Sequence, residues 1–401
     1  MSVKLNELVK QVRTGDIRLV AGKNGFSNPV EWVHMVGNTE IANFLSGGEV
    51  VFTTGLGISE KMSLLELVQS VYHNDASGMV VNVGPYVPEI GQEVIDFCNE
   101  HDFPIFEVPW RVHMSDIMRM FCMLLIQSEQ KAMELSAAFR HAIFAPNQEE
   151  LYVPVLMQKG FFPDWNYYTA LVEVTERITA EDGHSFYSQI SNDRLEFILK
   201  RTMRVITQEN YETIAFVEKE RIVVVISDRS EAAAMQQLEM VKNEIGKVLK
   251  ETEAIFLSLG SLSKGLRKIA DSYRMSKKVI DLSKFEHMEN QVQNYNTMGI
   301  CRLLFQIENM EIIEEYYNAT IKALDEYDAL NDSNLVEVLS CYMKNNGSVQ
   351  ETADELFVHR NTVNYKMKKI ESLLGVNISR FDTRNELAMG IMAGKLRKIY
   401  M

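Results

Sequence analysis

A chain of 401 residues is too long for one ordinary core and predicts two to four domains. With 46% hydrophobic and 24% charged residues it has the composition of a folded globular protein, and its net charge of −14 argues against a general nucleic-acid or membrane coat and restricts any DNA contact to a patch. The N-terminus MSVKLNELVK has no apolar signal core, no apolar run approaches ~18 residues, and Cys98, Cys122, Cys301 and Cys341 form no C-x-x-C, so we expect a cytoplasmic protein without a membrane span, disulfide framework or zinc site.

Residues 1–112 alternate strand and helix signals. Strands are predicted at Ile17–Ala21, Val30–Val36, Glu49–Thr53, Met79–Val83 and Ile105–Val108, with helices at Thr39–Leu45, Met62–Asn74 and Glu89–His101. Short apolar strands alternating with helices suggest an α/β domain with a largely parallel sheet. Gly47, Gly48 and Glu49, followed by Thr53, Thr54 and Gly55, form the best small-molecule candidate. Glycines permit close backbone approach, and in open α/β sheets ligands bind at the carboxyl ends of strands. The alternative is that the glycines make turns and the threonines cap the next helix. His34, His73, His101 and His113 are isolated in sequence, and neither a metal nor a cofactor is expected.

Residues 113–164 read as a connecting helix, from about His113 to Ala138, and a linker. Ile117, Phe121 and Leu124 make a stripe, but the continuation is too weak to claim a coiled coil. In 165–288 the strand YYTALVEVT leads to a helix over Phe186–Ile206, then the hairpin TIAFVEKERIVVVIS, a helix over Glu231–Leu249, the strand AIFLSLG and a helix over Leu266–Ser283. This β-α-β-β-α-β-α order suggests an α+β domain with helices on one face of an antiparallel-containing sheet. Residues 289–401 look wholly helical. Asn346-Gly347 and Gly375 read as left-handed helix stops, and Thr383 with Glu386 as a capping box opening a terminal helix.

Within that last region, residues 348–374 read as two short helices joined by a tight turn. Ser348 and Glu351 form a capping box, and Val363, Met367, Ile370 and Leu374 share one stripe at ~100° per residue. The opposite face holds Asn361, Tyr365 and Lys368, flanked by Thr362, Asn364 and Lys369, and no acid occurs between Leu356 and Ile370. Local charge opposes global charge: residues 331–401 carry 10 Lys+Arg against 8 Asp+Glu, a net of +2 in a chain of −14. A cationic face is often plain solvated surface. A polar face rich in Asn, Thr and Tyr on an apolar back is also what a major-groove reader needs.

The run ADELFVHRNTVNYKMKKIESLLGVNI resembles the C-terminal helix-turn-helix of the PucR family, the purine-catabolism-type transcriptional regulators. The family pattern A-x-x-L-x-V-H-x-N-T-V-x-Y-R-[LM]-x-[KR]-I-x-x-L-[LT]-G is matched by Ala353, Leu356, Val358, His359, Asn361, Thr362, Val363, Tyr365, Met367, Ile370, Leu374 and Gly375. Lys366 departs from the usual Arg, keeping the charge but losing its fork. IANFLSGGEVVFTTGLGIS is similar to the family's N-terminal sensory run W-L-x-G-G-E-L-[VL]-L-T-T-G through Phe44, Leu45, Gly47, Gly48, Glu49, Thr53, Thr54 and Gly55. By the same resemblance the middle domain would be a degenerate GGDEF-like unit. An active cyclase would carry paired glycines at the hairpin turn, where this chain has Glu218-Lys219-Glu220-Arg221, with two bulky basic side chains intruding.

The expectation is therefore a multidomain α/β plus all-α protein: sensory domain 1–112, connection 113–164, GGDEF-like domain 165–288, and helical domain 289–401. It would be a regulator of transcription and not an enzyme, binding operator DNA as at least a dimer and answering to a small effector such as a purine-degradation metabolite. His359, Arg360, Asn361, Thr362, Asn364 and Tyr365 would reach bases, and Lys368 and Lys369 phosphates. The rival classes are a nucleotide-processing enzyme and an interaction scaffold that binds no DNA.

Overall fold

The computed structural model describes residues 3–13, 15–58, 62–179, 185–208 and 213–400, and statements of absence refer to these. The first region contains β1 (Val3–Lys4), α1 (Leu5–Lys10), β2 (Arg18–Ala21), β3 (Pro29–Val30), β4 (Trp32–Met35), α2 (Thr39–Ala42), β5 (Glu49–Thr53), α3 (Leu64–His73), β6 (Gly78–Val83), α4 (Gln92–Glu100) and β7 (Ile105–Pro109). Its main sheet has the order β2-β7-β6-β5-β4. Strands β4 to β7 are parallel and β2 is antiparallel to β7. Alternate residues enter two cores. Val51, Met79 and Val81 meet α3 and α4, while Phe52, Val80 and Phe106 meet α1 and the start of α5 (Met114–Phe144).

Helix α5 runs six residues past the predicted end. Ile117, Phe121 and Leu125, with Leu124 partly buried beside them, pack on the first sheet; Leu135, Phe139 and Ile143 pack on the next domain. From Ile126 to Glu134 no residue is buried. The stretch read as a linker holds a second helix, α6 (Glu149–Gln158), whose Tyr152 and Leu156 join the middle core.

The middle region contains β8 (Asn166–Thr179), β9 (Ser185–Gln189), α7 (Asn192–Gln208), β10 (Thr213–Glu218), β11 (Arg221–Ser227), α8 (Glu231–Gly246), β12 (Glu253–Leu259), β13 (Ser263–Lys264), α9 (Ile269–Phe285) and β14 (Val292–Asn294). The sheet order is β10-β11-β8-β12-β14, with β9 and β13 paired to β8. Two expectations are corrected. Helices cover both faces, not one: Ala170, Val172 and Val224 meet α7 and α8, while Leu171, Val223, Val225 and Phe256 meet α5, α6 and α9. Runs such as IVVVI are apolar at every position because neither face sees water. Residues 186–189 are strand rather than helix, since β8 extends beyond β11 and its free length pairs with β9. The helix begins later, where the Ser191 hydroxyl accepts the Arg194 N–H.

The C-terminal region is helical: α10 (Cys301–Leu304), α11 (Met310–Thr320), α12 (Lys322–Asn331), α13 (Leu335–Lys344), α14 (Val349–Glu355), α15 (Arg360–Leu374) and α16 (Phe381–Tyr400). Its core includes Val338, Leu339, Ala353, Val363, Ile370 and Leu387, together with Met275, Val279 and Leu282 of α9, so α9 is shared with the middle domain. A Cβ at Gly390 would lie 2.2 Å from the Thr320 hydroxyl, so a glycine lets α16 cross α11 closely. The predicted Thr383 box is corrected: α16 starts at Phe381, placing Thr383 inside the first turn. No described helix is long and apolar enough to cross a membrane.

Candidate nucleic-acid interface

The helix pair α14–α15 is built from local signals. The Ser348 hydroxyl accepts the Glu351 N–H at 3.3 Å to open α14, one half of the predicted reciprocal box. The helix then closes in a Schellman turn, with Val358 N–H on the Ala353 carbonyl at 2.9 Å and Phe357 N–H on that of Asp354 at 3.3 Å. The left-handed position falls on Phe357 (φ +54°), not on a glycine, and its side chain is 96% exposed. His359 caps the next helix, its Nδ1 accepting the Asn361 N–H at 3.2 Å. Gly375, at φ +66°, ends it.

Buried Val363, Met367 and Ile370 hold α15 against Ala353 of α14 and Val338 of α13, with Leu374 half-buried at the end of the stripe. Lys344 and Asn345 donate to the Glu355 carboxyl at 2.8 and 2.7 Å, ties that join the end of α13 to α14 and hold that carboxyl below its ordinary range. The other face of α15 is open. His359, Arg360, Asn361, Thr362, Asn364, Tyr365 and Lys368 are all exposed, Tyr365 to 71%. Two nearby lysines are engaged within the domain: Lys366 donates to the Asn334 side chain, and the Lys369 ammonium lies 4.8 Å from the Tyr327 ring centroid. Of the two lysines expected on phosphate, only Lys368 is free of a partner.

The small-molecule constellation is divided. Gly47, Gly48 and Glu49 precede and open β5, whereas Thr53 ends it and Thr54 and Gly55 follow. At ~3.3 Å per residue the two ends are about 13 Å apart, so the six residues do not form one site. The far trio serves its own turn. The buried Thr53 hydroxyl accepts the Gly55 N–H at 3.2 Å, and a Cβ on Gly55 would strike Val87 at 2.3 Å. Ser63 with Glu66, rather than a threonine, boxes the start of α3. In the near trio Gly47 and Gly48 both adopt positive φ, and Glu49 accepts the Ser46 N–H at 2.8 Å. Among the described residues no three His, Cys, Asp or Glu side chains converge as a metal site.

The hairpin turn of the middle domain is tight, with Glu218 paired to Arg221 across it and Lys219 at φ +55°. Arg221 does not intrude on the turn, as its side chain was expected to. It is half-buried, 2.8 Å from Glu173 and 2.9 Å from Asp281. Glu218 is held by Arg140 at 3.0 Å.

Residues 7–125 match the purine catabolism regulatory protein-like family, PucR, and residues 335–393 the PucR C-terminal helix-turn-helix domain. The purine catabolism regulatory protein of Bacillus subtilis is 19% identical over 94% of this chain and 97% of its own length. The proline-responsive transcriptional activator PutR of the same organism is 31% identical over 142 residues, 35% of this chain, and the match spans about a third (34%) of that protein. The carbohydrate diacid regulator of Escherichia coli is 28% identical over 32% of each chain. A solved regulator of polyketide synthase expression from Bifidobacterium adolescentis aligns at TM-score 0.29 and 16% identity, over 65% of this chain and 91% of that one. The chain thus carries a match to the PucR N-terminal domain at one end and to the PucR C-terminal helix-turn-helix at the other, and is similar along most of its length to a purine catabolism regulatory protein.

Proposed function

We propose that this protein is a sequence-specific DNA-binding regulator that acts in the cytoplasm as a homodimer or higher homo-oligomer and answers to a small effector of purine or related nitrogen catabolism. The observation that carries the DNA-binding part is the open face of α15: seven polar or cationic side chains from His359 to Lys368, without an acid, on a buried apolar back. His359, Arg360, Asn361 and Thr362 occupy the N-terminal turn, the part of a recognition helix that meets base edges, with Asn364 and Tyr365 one turn on. Lys368 and, more weakly, Lys369 would meet phosphate. One such helix reads only a few base pairs, so specific binding calls for paired half-sites and at least two copies.

The middle domain is read as a GGDEF-like unit without cyclase chemistry. Its hairpin turn has no glycine to admit a phosphate, and Glu218 and Arg221 are tied up in ion pairs. The effector reading is supported by the relatives' names, one proline-responsive and one a purine catabolism regulator.

The test is a gel shift at fixed salt on sites selected from random DNA. Asn361→Ala and Tyr365→Ala should each weaken specific binding by roughly 1–3 kcal/mol and relax base preference. Undiminished affinity in the double variant would overturn the assignment.

A further inference from the structure

The sensory and middle domains enclose a cleft of about 950 Å³, walled on one side by the exposed middle of α5. That volume lies within the range of small-molecule sites. Trp32 and Phe44 project from the sensory domain, Phe44 to 78% exposure, while Phe216 of β10, buried beneath the Arg140 guanidinium, belongs to the opposite wall. Large aromatic side chains left open to a concave surface are available to a ligand.

The charges of the cleft sort by partner. Lys200 reaches Glu31 at 3.7 Å, and Arg140 is committed to Glu218 and the Val217 carbonyl. Both cations are therefore already neutralised by groups of the fold. The acids are not. Glu129 of α5 and Glu196 of α7 line the cleft with no ion-pair partner among the described residues. Glu49 is only 8% exposed, and while one of its carboxyl oxygens accepts the Ser46 N–H, the other is buried with no hydrogen-bond partner. A buried, unpartnered carboxylate oxygen is costly, and it is what a ligand with a charged N–H donor would satisfy.

We propose that this cleft is the effector site and that it takes a compound bearing a protonated nitrogen, with its N–H on Glu49 and its body against Trp32 and Phe44. The inference rests on the reading of the chain as an effector-responsive regulator. It narrows the effector to amines, amino acids or guanidines and moves the site from the carboxyl ends of the strands to the domain boundary. Aromatic faces favour the same charge. A ligand held between the two domains is sensitive to their relative placement, and its differential affinity for two placements is what would bias DNA binding.

The experiment measures thermal shift and calorimetric titration on the full chain with L-proline, L-arginine, agmatine and putrescine, against allantoin, hypoxanthine and urate. The expected result is stabilisation by at least one protonated-nitrogen probe. Its affinity should fall at least about tenfold in Glu49→Gln and in Trp32→Ala, and should be unchanged in Thr54→Val at the far end of β5. Ligand-free Glu49→Gln should melt roughly 1–3 °C above the parent, because an unsatisfied buried charge is removed. Stabilisation by the neutral or anionic compounds alone, equal affinity in Glu49→Gln, or no stabilisation by any amine overturns the proposal. A gel shift on the same samples separates the failures. Operator binding without amine binding refutes the cleft and leaves the regulator, whereas amine binding without operator binding refutes the regulator and leaves the cleft.

Discussion

Helices α5 and α15 each leave a long face uncovered, and they leave different chemistry on it. The open face of α15 is Asn, Thr, Tyr and Lys with no acid; the stretch of α5 that lines the cleft from its uncovered middle is Glu129, Ala132 and Met133. The first suits a polyanion. The second suits a small cation with an apolar body. The helices also differ in how they are held. Helix α15 is anchored along its length by Val363, Met367 and Ile370, whereas α5 is anchored only at its two ends, in two different domains. A helix fixed along its length presents a rigid surface, and one fixed at its ends ties together the bodies it joins.

Substitutions that strike one helix and spare the other sharpen this contrast. The largest effect is expected from Ile370→Ala, which removes a fully buried side chain from the back of α15 and should cost about 2–5 kcal/mol of C-terminal domain stability. Denaturant melts should show that domain unfolding early, with operator binding lost and binding in the cleft retained. Loss of both would break the separation.

Next comes Gln130→Pro, in the uncovered middle of α5. Proline there removes one helical hydrogen bond and kinks the chain, at roughly 3 kcal/mol. DNA binding without effector should persist, while effector-dependent change in a gel shift should vanish. An intact response would show that α5 does not carry the coupling.

A smaller and broader effect follows from pH. Burial alone would raise the Glu253 carboxyl, but hydrogen bonds from Arg194 (2.6 Å) and the Lys250 N–H (2.9 Å) outweigh it and hold the carboxyl below its ordinary range. A group depressed in the folded state contributes stability that is present above its unfolded pKa, about 4.3, and lost as pH falls through the lower folded value. The middle domain should therefore lose stability below about pH 4, and Glu253→Gln should flatten that part of the melting profile. An unchanged profile would remove Arg194–Glu253 from the acid response.

The smallest difference separates two neighbouring lysines. Lys368→Ala should lower affinity for all sequences and reduce the salt slope by about one. Lys369→Ala should do less, because its ammonium already lies over Tyr327. Equal slopes in the two variants would mean that Lys369 leaves that ring on binding DNA.

The helix-turn-helix was legible because its residues are contiguous. Capping at Ser348, the stripe of Val363, Met367 and Ile370, and the left-handed Gly375 are all local, and each has the predicted place in the structure. The parallel strands of the first sheet were legible for the same reason. The strand at 186–189 was not, because a free stretch of β8 decides it from a distance in sequence, and the helices on both faces of the middle sheet were overlooked although every position of IVVVI is apolar.

By itself, the sequence determined most of the elements, the two-faced recognition helix, the basic patch in an acidic chain and the family pattern, since periodicity, capping and charge act within a few residues. Only the tertiary structure decided that Lys369 is shared with Tyr327 and that Trp32, Glu49, Glu129 and Phe216 line one cleft. These residues come from different elements, and nothing local encodes their approach. It follows from which faces of two sheets must be buried, and from a 31-residue helix packing one end against each.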